Sequence, residues 1–165
     1  MSSASDLLQA RIVELLPKLR RFARALTRNP HDADDLVQLS LERALRHLDQ
    51  WQADSRLDSW LYGILKNAWI DELRARGRRE RVFDSAAQSE AVPDPRGDAS
   101  ATLAVEQALE LLPEEQRLAV ALVLIEGLPY KEAAQIIGVP MGTLTSRLAR
   151  GREALQKLLE PGETE

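Results

Sequence analysis

No cysteine occurs anywhere in the 165 residues. That absence excludes a disulfide scaffold, a thiolate metal centre, a cysteine nucleophile and an iron–sulfur cluster. Long apolar runs are also missing. Nothing approaches the roughly 18 residues that span a bilayer, and the amino-terminal segment has no secretory hydrophobic region. The expected setting is therefore the cytoplasm, without membrane insertion. No Ser/His/Asp set, glycine-rich phosphate loop or pair of catalytic carboxylates stands out, so the expectation is no enzyme, no catalytic residue and no cofactor. The cluster His31-Asp32-Ala33-Asp34-Asp35 carries side chains that can bind divalent ions. No second ligand cluster accompanies it, and aspartates at a helix start are favoured by the helix dipole alone. The expectation is no metal.

What the chain does have is charge in blocks. Its net charge is only −4, from 22 basic and 26 acidic residues, which alone argues against nucleic-acid binding. The local balance differs: +4 over 1–30, −4 over 31–58, +3 over 59–81, −7 over 82–116, +3 over 117–158 and −3 over 159–165. Such a chain can hold a polyanion on one face and a different partner on another.

No stretch reads as strand, and apolar residues recur at helical spacing almost throughout, so the fold class is all-α. Leu8, Ile12, Leu15, Leu19, Phe22 and Leu26 step by three and four; Pro17 is expected to kink this helix or start a new one. Asn29-Pro30 reads as a cap and first turn for a second helix through Val37, Leu41, Ala44, Leu45 and Leu48. Asp49 to Arg56 reads as a loop. A third helix carries Trp60, Leu61, Ile64, Leu65, Ala68, Trp69 and Leu73 and ends in a basic tail. Residues 82–100 hold two prolines, a glycine and three serines with little apolar content, the composition of a flexible linker able to reach about 60 Å if extended. The division is thus two small helical domains, 1–81 and 101–165, joined by 82–100 and each expected to have its own core. Four helical stretches are expected in the second: around 103–112 up to Pro113, 118–125 closed by Gly127, 129–137 closed by Gly138, and about 141–159.

The last two helices with the Gly138-Val139-Pro140 turn have the helix-turn-helix pattern. Ala133 and Ala134 allow a close crossing, and Leu144, Leu148, Leu155 and Leu158 form an inner face. Thr143, Ser146, Arg147 and Arg150 lie outward, with Arg152 and Lys157 beyond, residue types that bond base edges and phosphates. The bland alternative is a helical hairpin with a solvated basic face. On the third helix, Trp60, Tyr62 and Trp69 accompany Lys66, Asn67, Arg74, Arg76, Arg78 and Arg79. Aromatic rings and amides beside a basic stripe suit unstacked single-stranded bases. Here the alternative is that the tryptophans are core, most readily Trp60, which shares a face with Ile64.

Three ordered motifs resemble one family. Asp32-Ala33-Asp34-Asp35-Leu36-Val37-Gln38 with Glu42-Arg43-Ala44 resembles the polymerase-binding segment of bacterial sigma factors. Trp60-Leu61-Tyr62-Gly63-Ile64-Leu65-Lys66-Asn67, followed by Asp71-Glu72-Leu73-Arg74-Ala75-Arg76, resembles their promoter-melting and −10-reading helix. Leu112-Pro113-Glu114-Glu115-Gln116-Arg117 and Gly142-Thr143-Leu144-Thr145-Ser146-Arg147-Leu148-Ala149-Arg150 resemble their −35-reading domain. Two such domains and a short linker are the layout of the extracytoplasmic-function class.

The resemblance implies a region 2-like helical bundle, a region 4-like helix-turn-helix domain and a transcription initiation factor that reads −10 and −35 elements and helps melt the former. Its implied partners are core RNA polymerase (β′ clamp helices and β flap), promoter DNA and an anti-sigma factor. Asp34, Asp35, Gln38 and Glu42 would dock on the clamp helices. Trp60, Lys66, Asn67, Arg74, Arg76 and Arg78 would serve the −10 region, helped by the loop from about Asp49 to Arg56. Thr143, Ser146, Arg147 and Arg150 would serve the −35 element. Two positions depart from the pattern: Thr145 stands where many members carry Lys or Arg, and Leu39-Ser40 replaces the more usual acidic–small pair. The alternatives are a sigma-like decoy that binds an anti-sigma factor without DNA, and a conventional helix-turn-helix regulator. The linker is expected to permit both a compact inactive form and an extended one on polymerase.

Overall fold

The computed structural model describes residues 3–27, 29–52, 54–82 and 99–160. Among these there is no strand, and seven α-helices account for nearly everything. Helix α1, Ala4–Leu26, begins in a reciprocal box: Asp6 N–H donates to Ser3 Oγ, and Ser3 N–H donates to the Asp6 carboxylate. It runs unbroken through Pro17. Proline removes the bond to the carbonyl of Val13, but Val13 is 61% exposed, so water can satisfy that group. Helix α2, Pro30–Arg46, starts as the Asn-Pro pair predicts, with Asn29 Oδ1 accepting from Asp32 N–H at 2.7 Å. The expected loop after it opens with a 3-10 turn, Leu48–Gln50. Helix α3, Leu57–Val82, is the longest.

The linker reading over 82–100 falls mainly on 83–98, which lie outside the described residues; Val82 ends α3 and Ala99 begins α4, Ala99–Glu110. Helix α5, Glu114–Val120, continues into a π-helical turn, Ala121–Ile125. Helix α6, Tyr130–Ile137, ends where Gly138 takes φ 84°, a left-handed conformation that costs glycine little, and its N–H reaches the Ala134 carbonyl. Helix α7 spans Met141–Leu159.

The expectation of two separate cores is corrected. Leu19, Phe22 and Leu26 of α1, Leu36 and Val37 of α2, and Leu61 and Leu65 of α3 form one continuous apolar cluster with Leu109, Leu118, Val120, Leu122, Leu144 and Leu148. The helices up to Val82 pack against those from Ala99 through α1 and α3. Two units of about 80 and 60 residues each leave much apolar surface uncovered, and closing on each other hides it.

Candidate functional site

Each helix with a candidate role presents a distinct face. On α2, Ala33, Leu36, Val37, Ser40 and Ala44 point inward, leaving Asp34, Asp35, Gln38 and Glu42 together on the exposed side. Leu39 and Leu45, 37% and 49% exposed, share that side, so the surface is acidic with an apolar component that the sequence reading did not single out. Of the unusual pair Leu39-Ser40, only Leu39 is on this surface. Ser40 is buried and donates to the Leu36 carbonyl at 2.7 Å.

Helix α3 has three faces. Leu57, Leu61, Leu65 and Ala68 enter the core. Trp60, Asn67, Arg74 and Arg78 recur at helical spacing on an open face, where Asn67, Arg74 and Arg78 are exposed and Trp60 is half-buried. A third stripe, Ser59, Tyr62, Lys66 and Trp69, faces the carboxyl-terminal helices. Ser59 Oγ donates to Glu132 Oε2 at 3.0 Å, Tyr62 OH to Glu126 Oε2 at 3.1 Å, and Trp69 Nε1–H to Glu114 Oε2 at 3.1 Å. The idea of an aromatic stacking surface is therefore corrected for Tyr62 and Trp69, which are 1% and 3% exposed and committed to this contact. Lys66 is half-buried on the same stripe, and desolvation lowers its pKa. Arg76 is also engaged: it donates to Asp32 at 3.1 Å and Glu72 at 3.2 Å and lies over the Trp69 ring. So four of the six predicted −10 residues share the open face, and Lys66 and Arg76 do not.

Three more contacts tie the carboxyl-terminal helices to the amino-terminal ones, and sequence reasoning found none of them. The Arg21 guanidinium forks onto the Glu126 carboxylate, whose side chain has no solvent exposure. Burial and that same carboxylate raise the Tyr62 pKa. Arg56 Nη1 donates to Glu132 at 3.0 Å, and Arg117 Nη1 reaches the Leu26 carbonyl at 3.2 Å. No sequence signal marks these pairs, because each joins residues 64 or more positions apart.

On α7, Leu144, Leu148 and Gly151 are buried, while Ser146 and Arg150 are exposed on the outer side. Thr143 and Arg147 are half-buried at its margin, with Arg147 Nε 3.7 Å from Glu115. Thr145 is exposed, but its hydroxyl donates to the Met141 carbonyl at 2.8 Å, so that proton is spent on the backbone. Among the described residues no group of three metal-ligating side chains assembles, and no helix is long and apolar enough to cross a membrane.

Residues 12–79 match the family described as Sigma-70 region 2, and residues 102–155 match Sigma-70, region 4. The chain is 39% identical over 158 residues to the ECF RNA polymerase sigma factor EcfG of Rhodopseudomonas palustris, covering 94% of this chain and 86% of that one. It is 36% identical over 144 residues to the ECF RNA polymerase sigma factor SigM of Mycobacterium tuberculosis, covering 86% and 71%. Among solved structures, the sigma factor RpoE in complex with the anti-sigma factor NepR from Bartonella quintana superposes with a TM-score of 0.83 at 35% identity, covering 92% of this chain and 95% of that one. With two family regions in order and relatives matched over most of their length, the chain belongs to the extracytoplasmic-function sigma factors, promoter-directing transcription initiation factors that are not enzymes.

Proposed function

We propose how the labour is divided along the chain. Residues 1–81 form the unit that binds core RNA polymerase and the −10 region, residues 82–100 link it to the next, and residues 101–165 read the −35 element. Asp34, Asp35, Gln38 and Glu42 dock α2 on the polymerase clamp helices, with Leu39 and Leu45 adding apolar contact. Trp60, Asn67, Arg74 and Arg78 meet the −10 strand from the open face of α3. Lys66, on the stripe that faces the carboxyl-terminal helices, joins them only when those helices move off, and Arg76 only by leaving Asp32 and Glu72 of the amino-terminal helices. Ser146 and Arg150 contact the −35 duplex from α7, flanked by Thr143 and Arg147. The observation that carries this reading is segregation: an acidic face on α2, an amide–arginine face on α3 and an arginine face on α7, each exposed on its own helix.

The partner complexed with the structurally similar RpoE is an anti-sigma factor. An equivalent regulator, acting in the cytoplasm, is the expected partner here. With a net charge of −4, the free chain binds promoter duplex poorly at about 150 mM salt, and specific binding requires core enzyme.

Two substitutions test the division. Gln38→Ala weakens binding to core enzyme several-fold and leaves the −35 sequence preference of run-off transcription unchanged. Arg150→Ala leaves core affinity unchanged and lowers −35-dependent transcription about 5- to 100-fold, the range for one arginine–base contact. Equal effects of both substitutions in both assays would overturn the assignment.

A further inference from the structure

The contact between Glu132 of α6 and the start of α3 has a particular chemistry. Two donors meet on one carboxylate oxygen: Arg56 Nη1–H at 3.0 Å and Ser59 Oγ–H at 3.0 Å, both to Glu132 Oε2. The rest of the Arg56 guanidinium is held by Asp58, with Nε at 3.1 Å from Oδ1 and Nη2 at 2.8 Å from Oδ2, so Nη1 is aimed rather than free to wander. A guanidinium N–H and a hydroxyl converging on one anionic oxygen also suit a phosphodiester. A carboxylate and a phosphodiester each spread one negative charge over two terminal oxygens. The pair sits one residue before the open α3 face of Trp60, Asn67 and Arg74, and it belongs to the amino-terminal unit alone. Its present occupant comes from the lead helix of the helix-turn-helix.

We propose that Arg56 and Ser59 form a binding site for a backbone phosphate of the separated promoter strand, and that Glu132 is the chain's own stand-in for that phosphate when the two units are closed. This rests on the functional reading above and adds to it a phosphate site and its internal competitor. Both ligands need the same two donors, so closure and strand binding exclude one another, and each weakens the other by the same factor. The ion pair is suited to displacement. Arg56 and Glu132 side chains remain 50% and 29% exposed, and a solvent-facing pair contributes little to holding the units together. Asp58 occupies the opposite edge of the guanidinium and the Ser59 N–H, so Nη1 stays geometrically open to a phosphate, while the Asp58 charge offsets part of the attraction.

The test uses the full chain assembled with core polymerase on a template carrying a pre-opened −10 bubble, titrated across a salt series. Arg56→Gln lowers affinity about 5- to 10-fold at 150 mM salt and reduces the slope of log K against log salt by about 0.7, the value for one single-strand phosphate contact. Arg56→Lys keeps a cation and restores most of that slope. Glu132→Ala leaves the slope unchanged in the polymerase complex and raises the open population of the free chain by at most about 5-fold, the range for one exposed ion pair, read as the distance between two introduced labels. An unaltered slope with Arg56→Gln, or a slope altered equally by Glu132→Ala, overturns the proposal. If the unsubstituted chain fails to assemble with polymerase at all, the functional reading fails first.

Discussion

Arg117 is 4% exposed, and its guanidinium spends every donor inside the protein. Nε donates to Leu109 O at 2.8 Å, Nη1 to Leu26 O and Glu114 Oε1, and Nη2 to the carbonyls of Glu110 and Leu112 at 2.9 Å each. The carbonyls at the end of α4 have no partner within their own helix, so an arginine from α5 caps α4 and reaches α1 as well. Arg117→Met strands several buried carbonyls and is expected to cost about 3–5 kcal/mol in urea unfolding. Arg117→Lys recovers only part, since one ammonium cannot reproduce the planar fork. A loss below about 1 kcal/mol for Arg117→Met would remove it from this role. Tyr62 gives a second single-residue prediction. Desolvation and the neighbouring Glu126 carboxylate disfavour its phenolate and raise its pKa above the usual 10.0. A group whose pKa the fold raises stabilises that fold below the unfolded value, and the stabilisation fades as pH climbs past it. Tyrosinate absorbance of the protein minus that of Tyr62→Phe therefore has its midpoint above pH 10, with the closed arrangement weakening over the same range. A difference curve centred at or below 10 would contradict the buried Tyr62–Glu126 bond.

Helix α7 crosses α5 at Gly151. A Cβ there would lie 2.7 Å from Val120 Cγ2 and 3.4 Å from both Cβ and the carbonyl oxygen of Gln116. On an open helix surface Gly→Ala gains about 1 kcal/mol. At this crossing the sign reverses, and Gly151→Ala is expected to destabilise by about 1–2 kcal/mol through overpacking. Val120→Ala in the same chain gives back the space, so thermal melts of the two single variants and the double variant should be non-additive. Additive losses would mean the helices do not cross where the glycine stands. The contrast with Gly138 explains what the sequence makes legible at this scale. Gly138 ends α6 through its own backbone, and Asn29 caps α2 through its own neighbours, so both are written in local order. Gly151 is explained only by a residue 31 positions earlier in another helix. The same limit hid the caps that Arg117 supplies and the π-helical turn after Val120, which continues an ordinary apolar run.

For the molecule as a whole, composition and charge blocks revealed two helical units with three chemically distinct faces, because each face repeats at helical spacing within one segment. The linker allowed for a compact form, but nothing in the sequence revealed which groups close it, since closure depends on Glu114, Glu126 and Glu132 meeting one stripe of α3 and on Arg21 of α1, across separations of 45 to 105 positions. Read singly, these glutamates are only acidic surface. Their meeting buries Tyr62, Trp69 and the Glu126 side chain along the stripe that also holds Lys66, so on the proposed assignment the closed form withholds Lys66 from the −10 strand while leaving the acidic side of α2 exposed. If polymerase binding separates the units, weakening the latch must favour the separated form in advance. Glu126→Ala removes the acceptor shared by Arg21 and Tyr62; because Arg21 is half exposed, the loss is expected at about 1–2 kcal/mol, or a 5- to 30-fold shift toward open molecules. The absence of cysteine makes this measurable, since Gln9→Cys and Gln156→Cys place a unique pair of labels on exposed helical positions. The free protein should give one compact distance, Glu126→Ala a growing second population, and the polymerase complex that second distance alone. Identical distances in all three samples would mean that the units act as one rigid body, and that Lys66 never leaves its half-buried place on α3.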